Sequence, residues 1–296
     1  MKTDIKNAID LLKKGELVAF PTETVYGLGG DANNPNAVEK IFQLKQRPVN
    51  HPLIIHVAKI EHAMQYAHFS QAALEIAEQF WPGPLTLILE KTAATHSIVT
   101  GNRSTVGIRI PSHPTALELL EAVNRPIAAP SANPFGTISP TKAEHVNRYF
   151  GDALCVLDGG QCTIGLESTI LDLSETPAIL RPGSIDEHSI TTIVGPLGHS
   201  QTAAPGRMKA HYAPKTRLIL SDTPEKTANS YRNQGLRVAC IEPQEPKAYA
   251  QKLYAELHRL DQLDFEILVA PKAPEYGIGI AINDRLKKAA AGSQSN

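Results

Sequence analysis

The stretch ELVAFPTETVYGLGG (16–30) begins as an apolar strand, Glu16 to Phe20, which Pro21 brings to an end. Residues 21–30 then read as a loop carrying hydroxyls, a carboxylate and three glycines. Such a loop can bring backbone N–H groups and threonine hydroxyls close to a ligand, because glycine lacks the Cβ that would hold it off. A plain strand-to-helix turn fits the same residues equally well. The segment matches neither Walker A nor the Rossmann fingerprint, which excludes nucleotide binding through those motifs.

Upstream, residues 4–14 place Ile5, Ile9 and Leu12 on one helical face, and Gly15 supplies a stop. Downstream, apolar periodicity predicts helices over 37–46, 60–67, 71–80, 115–123 and 142–149. Strands are predicted at 53–57, 85–90, 106–110, 170–173 and 178–180. Mixed elements with long loops between them indicate an α/β sheet covered by helices.

At 296 residues the chain can form one large or two ordinary domains. Its texture changes at GPLGHSQTAAPG (195–206), rich in small residues and turn formers. Charge changes there too. Residues 151–200 hold one Arg against seven acids, and residues 201–250 hold eight basic residues against four acids. The expected division is a first domain over 1–196, a linker over 197–214 and a second domain over 215–296. Strands at 217–220, 238–241 and 267–269, with a helix at 248–260, make the second domain a small, partly parallel three-layer unit. Residues 292–296 are expected to fray.

Hydrophobic residues make up 42% and charged residues 20%, which permits a core and argues against disorder. A formal charge of -1 lacks the basic footprint of a nucleic-acid binder. Neither a run of ~18 apolar residues nor a signal-peptide core is visible, so a soluble cytoplasmic protein is expected. Cys155, Cys162 and Cys240 cannot form a disulfide framework. No His/Asp/Glu cluster has metal-ligand spacing, so no protein metal site is expected.

Several short segments could carry chemistry. Lys45 and Arg47, in KQRPVNHP (45–52), end a predicted helix, where they complement its dipole or line a phosphate pocket. His56 either packs within a sheet face or touches a ligand. In STVGIRIPSH (104–113), strand alternation puts Thr105, Gly107 and Arg109 on one face and Val106, Ile108 and Ile110 on the other. Arg109 then needs an anion, and a ligand carboxylate or a structural salt bridge satisfies it equally. In the stretch 128–141, small residues allow close approach while Ser131, Asn133 and Ser139 offer hydrogen bonds. DGGQCTIGLEST (158–169) is another glycine-punctuated loop, and LRPG (180–183) supplies a third cation, Arg181.

Taken in order, these segments resemble the YrdC-like domain of threonylcarbamoyl-AMP synthases. The matching motifs are PTETVYGLGG (21–30), KQRPVNHPL (45–53), WPGPLTLIL (81–89), STVGIRIPSHP (104–114), IAAPSAN (127–133), SPTKAEHV (139–146), DGGQCTIGLESTI (158–170) and ILRPGSI (179–185). APGRMKAHYAP (204–214) resembles the linker of the two-domain type. LYAELHRLD (253–261) and GIGIAINDRL (277–286) resemble its C-terminal domain.

The resemblance implies a YrdC-like twisted mixed sheet with helices, then a linker and a small three-layer α/β domain. It implies an L-threonylcarbamoyladenylate synthase, which condenses L-threonine, bicarbonate or CO₂, and ATP into threonylcarbamoyl-AMP and pyrophosphate. Mg²⁺ would accompany ATP, and downstream threonylcarbamoyl transferase proteins would modify tRNA. Thr24, His56, Arg109, Ala129 and Ser168 would surround threonine, with Arg109 on its carboxylate. Arg47, His51, Thr105, Ser131, Ser139 and Arg181 would contact ATP, and Lys45, Arg47 and Arg181 would supply the catalytic charge. The chain departs from the family pattern at RMKA (207–210), which puts Lys209 where an ATP-contacting tyrosine is usual, with Tyr212 a lesser candidate. No covalent nucleophile is needed, so Cys155, Cys162 and Ser168 receive no such role.

The alternative is a non-catalytic module of the same fold that binds double-stranded RNA. Near-neutral charge and 5% aromatic content oppose it. A related carbamoyl-transferring or hydrolytic enzyme is a further alternative, which the HYAP linker and terminal domain disfavour. Direct tRNA binding stays open.

Overall fold

The computed structural model describes residues 4–200, 202, 204–206 and 208–294. Helix α1 (Ile5–Lys13) is capped by Asp4, whose carboxylate accepts the Lys6 N–H, and it buries Ala8 and Leu12. Strand β1 (Val18–Phe20) follows as expected, but Gly27–Asp31 is not loop: it forms β2, antiparallel to β1. The glycines are there for packing. A Cβ on Gly29 would sit 2.8 Å from the Phe20 ring, and one on Gly30 would sit 2.9 Å from Leu17. The tight turn is thereby confined to residues 21–26.

Next come α2 (Pro35–Lys45), β3 (Ile54–His56), α3 (Ile60–Ala63), α4 (Gln71–Phe80), β4 (Leu85–Glu90), α5 (Ser97–Thr100) and β5 (Thr105–Arg109). The first domain is completed by α6 (Pro114–Val123), β6 (Ile127–Ala128), α7 (Ala143–Phe150), β7 (Cys155–Val156), β8 (Thr169–Asp172), β9 (Ala178–Arg181) and α8 (Glu187–Val194). The helix expected over 60–67 stops at Ala63, because Ala67 leaves it to bridge Lys91. Helix α8 was not predicted from its β-branched sequence; the Asp186 side chain accepts the Ser189 N–H at 2.8 Å and caps it.

The nine strands form one mixed sheet in the order β7-β1-β2-β6-β3-β5-β4-β8-β9. Its main core packs Ile55, Leu87 and Ile108 of the sheet against Ile41, Ile76 and Val146 of the helices. The central pair β3 and β5 is parallel, with His56 opposite Arg109.

The C-terminal region alternates β10 (Arg217–Ser221), α9 (Pro224–Arg232), β11 (Val238–Cys240), α10 (Pro246–Leu260), β12 (Ile267–Pro271) and α11 (Ile278–Ser293). Its sheet, in the order β10-β12-β11, is wholly parallel rather than partly so. Residues 292–293 do not fray: α11 runs through them, and Ser293 accepts the Leu218 N–H at 2.9 Å. Residues 295–296 lie outside the described residues. The two regions share a packed boundary. A Cβ on Gly165 would lie 2.6 Å from the Ala250 carbonyl of α10, and its φ of +81° already favours glycine. Among the described residues no helix is long and apolar enough to cross a membrane.

Candidate active site

Strand pairing and one helix end bring the charged groups together. The β3–β5 register sets His56 beside Arg109, and β9 ends on Arg181 beside Ser168. Helix α2 ends on Lys45, Gln46 takes the left-handed conformation (φ 53°), and the chain returns Arg47 to the same space. These residues surround a cavity lined also by Thr24, Ala129, Ser131, Glu167 and Ser168. The linker contributes Pro205, Gly206, His211 and Tyr212 to the lining.

Three cations in this wall are held by neutral oxygens. Lys45 Nζ donates to the carbonyls of Ser131 (2.6 Å) and Asn133. Burial, aided by Arg47, drives its pKa well below the usual range. Arg47 donates to the Pro52 carbonyl at 3.0 Å and lies 5.4 Å over the Phe135 ring, while its Nε is buried without a partner. Burial lowers its pKa to about 10. Arg181 donates from Nε to the Ser168 carbonyl and from Nη2 to Ser168 Oγ, both at 3.0 Å, and reaches Pro205 O at 3.3 Å. The nearby carboxylates are engaged elsewhere, Glu23 with Arg109 at 2.7 Å and Glu167 with Arg285 at 2.8 Å. Buried like charges repel, and an incoming polyanion relieves them.

At the other end, Arg109 donates from Nη1 to Thr24 Oγ1 at 2.8 Å and from Nε to Gly83 O at 3.1 Å. Its Nη2 faces Glu23 Oε1 in an ion pair that lacks hydrogen-bond alignment. The structural salt bridge is therefore present, and Arg109 lines the cavity as well. His56 Nδ1 lies 3.2 Å from Ile54 O; burial, then the Arg109 charge, pushes its pKa down to about 3. A neutral imidazole beside a guanidinium can accept a zwitterion without repelling its ammonium.

Four expected contacts lie outside the lining. His51 stands edge-on to Phe135, with ring centroids 5.3 Å apart. Ser139 lies behind Glu167 and donates to its Oε1 at 2.6 Å. Thr105 occupies the far end of β5, opposite Glu90, and Lys209 is exposed. Tyr212, unlike Lys209, is a linker residue that lines the cavity, and Gly206 makes room for it: a Cβ there would lie 2.4 Å from the Tyr212 hydroxyl. Sequence reasoning missed Glu23, Glu167, Phe135 and His211. Glu23 and Glu167 each adjoin a chosen residue, Thr24 and Ser168, and a carboxylate beside an expected anion site signals a paired arginine. Among the described residues no group of three or more His, Cys, Asp or Glu side chains is arranged to hold a metal ion.

Comparison with known proteins places this cavity in context. The family model for Sua5, YciO and YrdC, described as telomere recombination, matches residues 10–183. The model described as threonylcarbamoyl-AMP synthase, C-terminal domain, matches residues 176–291. Threonylcarbamoyl-AMP synthase of Pyrococcus abyssi is 39% identical, over 96% of this chain and 93% of its own. The Bacillus subtilis protein of the same name is 38% identical, over 97% and 93%. The crystal structure of P. abyssi Sua5 complexed with L-threonine superposes with a TM-score of 0.92 at 37% identity, covering 98% of this chain and 94% of that one. Escherichia coli YciO matches with a TM-score of 0.54 at 26% identity, over 60% of this chain and 87% of its own.

Proposed function

The chain belongs to the Sua5, YciO and YrdC family in its two-domain threonylcarbamoyl-AMP synthase form, and from that premise we propose how its cavity performs the reaction. It is an L-threonylcarbamoyladenylate synthase, a nucleotidyltransferase acting in tRNA modification. Threonine binds at the Arg109 end with its carboxylate on the guanidinium, and Thr24, His56, Ala129 and Ser168 enclose it. ATP binds at the other end against Lys45, Arg47, Ser131 and Arg181, with Tyr212 of the linker beside it. His51 and Ser139 support that end from behind Phe135 and Glu167. Thr105 and Lys209 take a part only if ATP binding moves them.

The threonine ammonium loses a proton to solvent, and the free amine adds to CO₂ and releases a second proton to solvent, forming an N-carboxylate. That carboxylate attacks the α-phosphorus of ATP; a new P–O bond forms, the bond to the β-phosphate oxygen breaks, and pyrophosphate leaves. Negative charge grows on phosphoryl oxygens that face cations without carboxylate partners, so their stabilisation strengthens toward the transition state. Holding both substrates in line is worth ~7–11 kcal/mol for a well-oriented pair. With Glu23 and Glu167 engaged by arginines, Mg²⁺ would ride on the triphosphate as MgATP, where it neutralises phosphoryl oxygens. Threonylcarbamoyl transferase proteins downstream, in the cytoplasm, would consume the product.

The three cations facing one cavity, beside the Arg109–His56 pair, carry this reading. Pyrophosphate release from ATP, with bicarbonate and with or without L-threonine, tests it. Release that depends on threonine supports it. ATP hydrolysis indifferent to threonine, or none, contradicts it.

A further inference from the structure

Glu167 is a carboxylate in the wall of a cavity whose other charged lining residues are cations, and Arg285 of the C-terminal region holds it. Arg285 Nε donates to Glu167 Oε2 at 2.8 Å, Nη2 to the Glu167 carbonyl at 3.4 Å, and Nη1 to Asp284 at 2.7 Å. The Tyr254 hydroxyl adds a donor to Oε2 at 3.1 Å, and the Ser139 hydroxyl one to Oε1 at 2.6 Å. Arg285 is fully buried, and its guanidinium lies 5.5 Å over the ring of Tyr212. Burial raises the Glu167 carboxyl, but Arg285, then Arg181, outweighs it and holds the pKa at about 2.

The next residue along the chain is the one that anchors Arg181. Ser168 gives its carbonyl and hydroxyl to Arg181, and the hydroxyl also bonds Thr86 Oγ1 at 2.8 Å. One peptide thus joins the carboxylate held by α11 to the guanidinium that faces the cavity. Arg181 senses Glu167 as a nearby negative charge. After Arg285, Arg181 is the next positive charge acting on the carboxylate; deprived of Arg285, Glu167 would draw on Arg181, and that pairing would cancel a charge which the α-phosphate requires.

We propose that Arg285 is a positioning residue: by pairing with Glu167 it keeps Arg181 free of a carboxylate and available to ATP. This rests on the ATP-binding assignment above. The C-terminal region therefore contributes charge control to the adenylation site, in addition to burying apolar surface. Asp284 keeps a partner without Arg285, since Lys288 lies 2.7 Å from it.

The test is MgATP affinity of the full-length chain by calorimetry, with threonine-dependent pyrophosphate release measured in parallel. Arg285→Gln leaves the carboxylate and should weaken MgATP about tenfold, the scale of one charge-assisted hydrogen bond. Arg285→Gln combined with Glu167→Gln removes both charges and should bind MgATP within about threefold of the parent chain. A double variant as weak as the single, or a single that binds as well as the parent, overturns the proposal. If Arg285→Gln does not fold, Arg285→Lys replaces it: retained MgATP affinity supports the charge role, and a tenfold loss overturns it. A parent chain that binds MgATP without threonine-dependent turnover would sink the synthase assignment while leaving this comparison valid; one that binds no MgATP overturns both.

Discussion

Glu23 Oε1 and Arg109 Nη2 lie 2.7 Å apart, with both side chains almost wholly buried, yet the pair is not aligned as a hydrogen bond. A buried guanidinium so held is neutralised without using its full donor capacity, which leaves room for a second carboxylate. Arg109→Ala should raise the KM for threonine about 10- to 100-fold, the scale of a lost charged hydrogen-bonding pair, and affect ATP less. Steady-state kinetics varying each substrate would show this. Unchanged threonine dependence would remove Arg109 from the site.

Glu23→Gln leaves Arg109 buried without its counter-charge and should cost on the order of 3 kcal/mol of stability. Added threonine should then raise the thermal midpoint more than in the parent chain, because its carboxylate supplies the missing charge. An equal threonine shift in both proteins would argue that the two carboxylates do not share Arg109.

On the phosphate side, Lys45→Ala and Arg47→Ala should each lower kcat/KM about 10²- to 10³-fold, as expected for one preorganised group facing developing charge. Lys45 also holds two carbonyls of the 131–133 segment, so its variant should lose stability as well. Denaturant unfolding of both proteins separates the effects. Wild-type turnover in either variant would exclude that residue from the chemistry.

Threonine and serine differ by one methyl group, worth roughly 1–3 kcal/mol in an apolar pocket. Serine should therefore be used, with kcat/KM about 10- to 150-fold lower. Competition of the two amino acids for adenylate formation measures the ratio. Discrimination far beyond this range would require a conformational step that the cavity wall does not supply.

Acid should destabilise the fold early. Burial holds His56, His145, His211 and His258 at about 3, 2, 3 and 4, with the stacked His145–His258 rings 4.0 Å apart. The unfolded chain binds protons near the ordinary histidine value of ~6.5 while the folded chain refuses them. Stability is therefore full above ~6.5 and falls as pH drops below it, by up to about 1.4 kcal/mol per pH unit for each histidine. Glu167, held at about 2, is a depressed acid: its contribution is present above its ordinary value and lost only as pH falls toward 2. The urea midpoint should drop between pH 7 and 5, and His258→Gln should flatten part of that slope. A flat midpoint would contradict buried neutral histidines.

The fold class and most strands of the first domain were legible because strands such as Leu85–Glu90 are apolar runs bounded by turn formers. Gly27–Asp31 was not, since glycine has no strand propensity and earns its place only through Phe20 and Leu17, contacts that lie across the sheet. Within the site, strand alternation gives the face of Arg109, and Lys45, Arg47 and Arg181, drawn from separate motifs, line one cavity with it. Thr105 shares the face of Arg109 but sits a strand's length away, a distance that alternation does not encode. Glu167 and Arg285 are 118 positions apart, and only the packing of α11 against the 158–169 loop brings them together.

The most direct test supplies the chain with L-threonine, MgATP and [¹³C]bicarbonate and follows the nucleotide product by mass spectrometry. Threonylcarbamoyl-adenylate heavier by the one labelled carbon, formed only when all three substrates are present and in step with pyrophosphate, is the predicted result. Pyrophosphate without that labelled adenylate would contradict the reaction assigned to this cavity.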